Sequence, residues 1–126
     1  MANKPVIIIG AGGHAKVLIS TLKALERKII GVLNADVLST GQTVNGIIIL
    51  GNDDKVKDYA TDAVELVNGI GSIAEPVKRT EIFLKFKKEG YSFARVIHPA
   101  AAIIDGLGIG EGAQIMAGAI VQTGCE

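Results

Sequence analysis

Val6-Ile7-Ile8-Ile9-Gly10-Ala11-Gly12-Gly13-His14-Ala15 decides how the first part of this chain folds. An unbroken β-branched run such as Val6 to Ile9 suits a short strand buried on both faces. The glycines end that run, and Ala15, Leu18, Leu22 and Leu25 then recur at helical spacing through a segment expected to end near Arg27. Strand, glycine turn and helix in that order satisfy G-x-G-x-x-G/A from Gly10 to Ala15. Glycine permits positive φ in a tight turn, and its missing side chain lets backbone N–H groups approach a diphosphate at the positive end of a helix. Gly10, Gly12 and Gly13 are therefore candidate ligand contacts. His14, in the first helical turn, is a candidate side-chain contact. The plainer alternative is that the glycines only make a tight strand-to-helix connection.

The same alternation continues. Ile29 to Leu33 predicts a second strand, Ala35 to Gly46 a polar loop, and Ile47 to Leu50 a third strand closed by Gly51. Asn52 or Asp53 is placed to cap a short helix through Tyr59. Val64 to Val67 predicts a fourth strand, ended by the turn Asn68-Gly69-Ile70-Gly71-Ser72. A helix is expected from about Glu75 to Gly90, with Pro76 in its first turn and Ile82, Phe83 and Phe86 as its apolar stripe. Phe93 to Ile97 predicts a fifth strand. Strands alternating with helices make a parallel sheet covered on both faces, so residues 1–97 are expected to form a small Rossmann-like α/β domain. A dinucleotide site would place an acid near the end of the second strand to hold a ribose, and Asn34 and Asp36 fall there.

After Ile97 the texture changes. Ile97, Ile103, Ile109, Ile115 and Val121 stand six apart, with small or turn-prone residues between them. A period of six is too short for a helical repeat and too regular for a loop. It suits a parallel β-helix, each hexapeptide making one flat face with one aliphatic residue turned inward. Residues 98–126 are accordingly expected to begin such a helix, at three hexapeptides per coil.

Composition narrows the function classes. The 126 residues hold 13 basic and 13 acidic side chains, so no global field draws a polyanion or an anionic membrane. There is no Trp and aromatics make up 4%, too few for a base-stacking nucleic-acid surface. No apolar run approaches a membrane span, and Met1 to Pro5 lead directly into the first strand without a secretory signal. The lone Cys125 has no internal disulfide partner, which fits a cytoplasmic protein, and its neighbours Gly124 and Glu126 offer a thiol no activating base. The Lys85-Phe86-Lys87-Lys88 stretch reads as a solvated helix face. His98 precedes Pro99 where the two patterns meet, with no acidic partner beside it, and reads as a junction residue. No metal-ligand cluster is expected.

Taken together, the opening Ile7 to Lys16, the loop before Ile47 leading to Leu50-Gly51, the Ile70-Gly71-Ser72 turn, the Val96-Ile97-His98-Pro99 junction and the hexapeptides resemble one family along the whole chain. It is the sialic acid O-acetyltransferase and UDP-4-amino-sugar N-acetyltransferase family, including bacillosamine-pathway and perosamine N-acetyltransferases. The resemblance implies a Rossmann-like domain that binds the nucleotide sugar, followed by a left-handed β-helix. It also implies a homotrimer that holds acetyl-CoA between subunits, and a histidine that deprotonates the sugar amine or hydroxyl as it attacks the thioester. Gly12, Gly13 and His14 match the family's nucleotide-contacting turn, and Gly71 and Ser72 match the turn facing the ligand. Asn34 and Asp36 lie where relatives often carry two acids. The family's catalytic histidine lies in hexapeptides later than any in this sequence, so no residue here is assigned catalysis. A different class of reading stays open beside it: an NAD- or nucleotide-binding Rossmann module whose repeat is a non-catalytic assembly tail.

Overall fold

The computed structural model describes residues 4–70 and 76–97, with three further pairs at 102–103, 114–115 and 120–121. Gly71, Ser72, His98, Ile109 and Cys125 lie outside the described residues. The first sheet uses β1 (Val6–Ile9), β2 (Ile29–Leu33), β3 (Thr43–Val44), β4 (Ile47–Gly51) and β5 (Glu65–Asn68), in the order β3-β4-β2-β1-β5. Pairings among β4, β2, β1 and β5 are parallel, and only β3 runs antiparallel, against β4. The parallel-dominated α/β sheet expected from the alternation is present.

Period-two alternation assigns each side chain of β1 to one of two apolar layers. Val6 and Ile8 pack with Ala15, Leu18, Ile19 and Leu22 of α1 (Gly13–Ala24). Ile7 and Ile9 pack on the opposite face with Val56, Tyr91, Phe93 and Phe86, the last from α2 (Pro76–Lys88). All four β1 side chains are at most 2% exposed, as a strand covered on both faces requires. Ile82 and Phe83 pack on the second layer from its edge, so the expected stripe of α2 faces the core.

Three local differences from the sequence reading have physical causes. The first helix ends at Ala24, not Arg27. Glu26 adopts φ 56°, and the Glu26 and Arg27 amides donate to the Lys23 and Leu22 carbonyls, closing a Schellman cap with a glutamate in the left-handed position. The expected loop from Ala35 to Gly46 contains a 3₁₀ turn at Val37–Ser39 and the strand β3. Asn45 and Gly46, at φ 48° and 84°, form a two-residue hairpin of the type that matches strand twist. The expected single strand Phe93 to Ile97 is divided. Phe93 bridges Leu66 in parallel, whereas β6 (Val96–Ile97) leaves the sheet and pairs with β8 (Gln114–Ile115). A second parallel pair joins β7 (Ala102–Ile103) to β9 (Ile120–Val121).

The short helix expected after Gly51 is a 3₁₀ segment, Asp53–Asp58, capped by the Asn52 side chain accepting from the Asp54 amide. The Tyr91 hydroxyl donates to the carbonyls of Val56 and Tyr59, at 2.9 and 2.8 Å, and so holds that segment on the second core layer.

Gly69 follows β5, and its amide donates to the Ile9 carbonyl at the end of β1. A Cβ there would stand 2.5 Å from the Ile9 carbonyl oxygen, with Ile8 and Ala15 at 3.1 and 3.2 Å. Backbone cannot yield as a side-chain end can, so Gly69→Ala is expected to cost about 2–3 kcal/mol. Thermal denaturation should show its midpoint falling by roughly 10 °C or more. A midpoint within 2 °C of the parent's would mean that the two backbones are not so close.

Candidate functional site at the glycine turn

In β1 the chain rises inside the sheet, then crosses to β2 on one side, while β5 lies on the other. Sheets of this kind leave a crevice beyond the carboxyl ends of the strands where the order diverges. A cavity of about 400 Å³ occupies that place. Its floor is the Gly10-to-His14 turn, with Leu33, Asn34 and Ala35 beyond β2 on one wall, and Gly69 and Ile70 beyond β5 on the other. Asp53, Lys78 and Ile82 complete the rim. A second hollow of about 260 Å³ adjoins it, sharing Ala35 and Asp53 and adding Asn52, Asp54 and Lys85.

The three turn glycines do different things. Gly10 has φ 96°, and a Cβ there would touch Ile70 at 3.0 Å, so its role is conformational and is set by the free fold. Gly12 has an extended backbone and is the N-cap of α1, and neither it nor Gly13 has any atom within 4 Å of where a Cβ would go. Among the described residues nothing requires glycine at these two positions. Among the described residues no side chain caps the helix, and its first turn carries no acid. The amides at its start are thus left to the cavity, and the helix dipole adds positive potential there.

His14 Nε2 lies 2.6 Å from Oε1 of Gln114, 100 residues along the chain. Gln114 Nε2 in turn donates to the Asn68 carbonyl at 2.8 Å. Asn68 is 4% exposed, and both polar atoms of its side chain are bonded: Oδ1 accepts from the Ile70 amide and Nδ2 donates to the Arg79 carbonyl. Arg79 reaches back, donating to the carbonyls of Ile70 at 2.8 Å and Asn68 at 3.3 Å. Burial pushes its guanidinium below the ordinary arginine value. The wall of the cavity after β5 is therefore braced from α2 and from β8 at once.

Of the candidates read from sequence, Gly10, Gly12, Gly13, His14 and Asn34 meet at this cavity. Asn34 donates to the Ser39 hydroxyl at 2.9 Å. Asp36 does not line it: its Oδ1 accepts from the Leu38 amide in a local turn, and the residue is exposed. Sequence reasoning missed Asp53, which lines both hollows and lies 3.6 Å from Lys85 Nζ, and it missed Gln114. A capping position gave some signal for Asp53. No local pattern connects residue 114 to residue 14. Among the described residues there is no metal-binding cluster of His, Cys, Asp or Glu, and no helix long and apolar enough to cross a membrane.

A parallel-dominated α/β sheet with a glycine-floored crevice at its switch point defines the class: a Rossmann-like domain. Within that class, the chain belongs to the PglD N-terminal domain family, whose model matches residues 5–86. Solved structures agree. A mutant of perosamine N-acetyltransferase from Caulobacter crescentus, in complex with CoA and GDP-perosamine, is 31% identical with a TM-score of 0.81, covering 94% of this chain and 54% of that one. The acetyltransferase domain of PglB from Neisseria gonorrhoeae is 28% identical with a TM-score of 0.80, covering 97% and 58%. The same domain in complex with acetyl coenzyme A is 25% identical with a TM-score of 0.75, covering 98% and 60%. This chain thus spans little more than half the length of those solved chains. No curated protein matches it.

Proposed function

We propose that this chain is the nucleotide-sugar-binding part of an acetyltransferase that moves an acetyl group from acetyl-CoA to a sugar amine or hydroxyl. The observation that carries the reading is the N-terminus of α1, uncapped among the described residues, with two glycines whose missing side chains no described neighbour needs. A diphosphate seated on those amides would use both features, and Lys78 on the rim adds positive charge. The nucleoside end then extends past Asn34 and Ala35 toward Asp53 and the second hollow. Gly71 and Ser72 belong to the same binding reading through the family turn they match. The relatives captured with CoA and GDP-perosamine, or with acetyl coenzyme A, support both ligand classes.

Residues from β6 onward are read as the start of a left-handed β-helix that assembles as a trimer and holds acetyl-CoA between subunits. Supporting this, Val96 and Ile97 pair with Gln114 and Ile115, and Ala102 and Ile103 with Ile120 and Val121. Each parallel partner lies 18 positions on (114 − 96 and 120 − 102), which is three hexapeptides. The same reading places the protein in the cytoplasm and assigns no catalytic role to a residue of this sequence.

Calorimetric titration of the chain with UDP- and GDP-linked amino sugars, and with NAD, tests the proposal. Binding of a sugar nucleotide is the expected result. Binding of NAD alone would overturn it in favour of a Rossmann nucleotide module with an assembly tail.

A further inference from the structure

We propose that Gln114 is a positioning residue that fixes His14 in its Nε2–H tautomer, so that the neutral ring offers Nδ1 as an acceptor to a hydroxyl or amino group of the bound ligand. The chain of donors and acceptors has only one consistent direction. A backbone carbonyl accepts and never donates, so the Gln114 atom 2.8 Å from the Asn68 oxygen is the amide nitrogen. Turning the amide over would set two oxygens against each other at that distance. The Gln114 atom facing His14 at 2.6 Å is therefore Oε1, which also only accepts. His14 Nε2 must carry the proton between them.

The anchor at the far end is rigid. Asn68 is nearly fully buried, and Arg79 donates to the carbonyl that receives Gln114. Gln114 itself is half-buried. The neutral ring then has one lone pair left, on Nδ1, and a lone pair is matched by an O–H or N–H donor. An ionised phosphate has none to offer. The diphosphate is left to the backbone amides of the turn, and His14 takes a hydroxyl of ribose or sugar, or a sugar amine. The assignment of ligand group rests on the sugar-nucleotide reading. The tautomer does not.

The test uses ¹⁵N-labelled full chain, with His14 assigned against His98 by a His14→Gln variant, at a pH where the ring is neutral. Two-bond nitrogen–proton couplings should show His14 protonated at Nε2 without any ligand. Gln114→Met keeps the side-chain length but deletes both bonds, and should bring the two nitrogen shifts toward one another as the second tautomer becomes populated. Circular dichroism of each variant checks that the sheet is intact. A wild-type ring protonated at Nδ1, or a Gln114→Met spectrum identical to the parent's, would sink the positioning role. Adding a GDP- or UDP-linked amino sugar should shift Nδ1 while Nε2 stays in place. Protonation of both nitrogens on binding would instead put a phosphate beside His14 and overturn the ligand-group assignment. Absence of binding would defeat the sugar-nucleotide reading and leave the tautomer result standing.

Discussion

Gly13→Asp is expected to leave the fold intact or slightly more stable, while weakening sugar-nucleotide binding by on the order of 100-fold or more. The two effects have opposite signs for one reason. Gly13 is the first residue of α1, with open space where a Cβ would go, and that turn holds no acid. An aspartate there replaces a poor helix former and complements the helix dipole, gaining about 0.3–1 kcal/mol. The same charge stands in the cradle proposed for a diphosphate. Two like charges about 4 Å apart near a protein surface repel by about 4 kcal/mol before screening, so a 100-fold loss is the conservative expectation. Chemical denaturation and calorimetry on one preparation would show the split. If binding is unchanged, the glycine turn is a connection and not a phosphate site.

The largest loss of stability is expected from Phe86→Ala, about 3–5 kcal/mol. Phe86 is 1% exposed and is among the largest fully buried side chains. Its ring meets Tyr91 edge-on at 6.2 Å between centroids, in the layer that also holds Ile7, Ile9 and Val56. Truncation leaves a cavity between α2 and the sheet and removes the support of Tyr91, whose hydroxyl ties down the 3₁₀ segment beside Asp53. Domains of this size are stable by about 5–15 kcal/mol in all, so a large share would go. Urea unfolding should show the midpoint falling with an unchanged slope. Phe86→Leu, which preserves most of the volume, is expected to cost less than half as much.

Most of the fold was legible because its signals are local. A β-branched run, a glycine break and an apolar helical spacing place β1 and α1 without reference to anything distant. What escaped was of two kinds. Asn45-Gly46 between Val44 and Ile47 is a strong hairpin signal, but the strands it joins are short and the stretch before it is polar, so it read as loop. Its two neighbours, Thr43 and Val44, pair only because β4 is already in place. The division of Phe93 to Ile97 is the other kind. All five residues suit a strand, and only the positions of Leu66 and Gln114 decide that Phe93 stays with the sheet while Val96 leaves it.

The site divides the same way. Gly12, Gly13 and His14 declare themselves by spacing, whereas Asp53 enters the cavity rim from a 3₁₀ turn that could have served as a cap alone. Asp36 shows the converse. It stands where a ribose-binding acid is expected, yet its carboxylate is spent on its own turn. Short polar side chains after a strand often satisfy nearby amides, and sequence position does not say which use prevails.

The bond from His14 to Gln114 also sets an order of events in the newly made protein. The strands of the first sheet end at Asn68, and Phe93 leaves the ribosome about 20 residues ahead of Gln114. At about 5–20 residues per second, the roughly 20 residues from Phe93 to Gln114 take about 1–4 seconds to add. Collapse and strand pairing are far faster than that. A nascent chain therefore passes through an interval in which the glycine cradle is built and its histidine is still free to turn, and the ribosome, by delivering Gln114, completes the site.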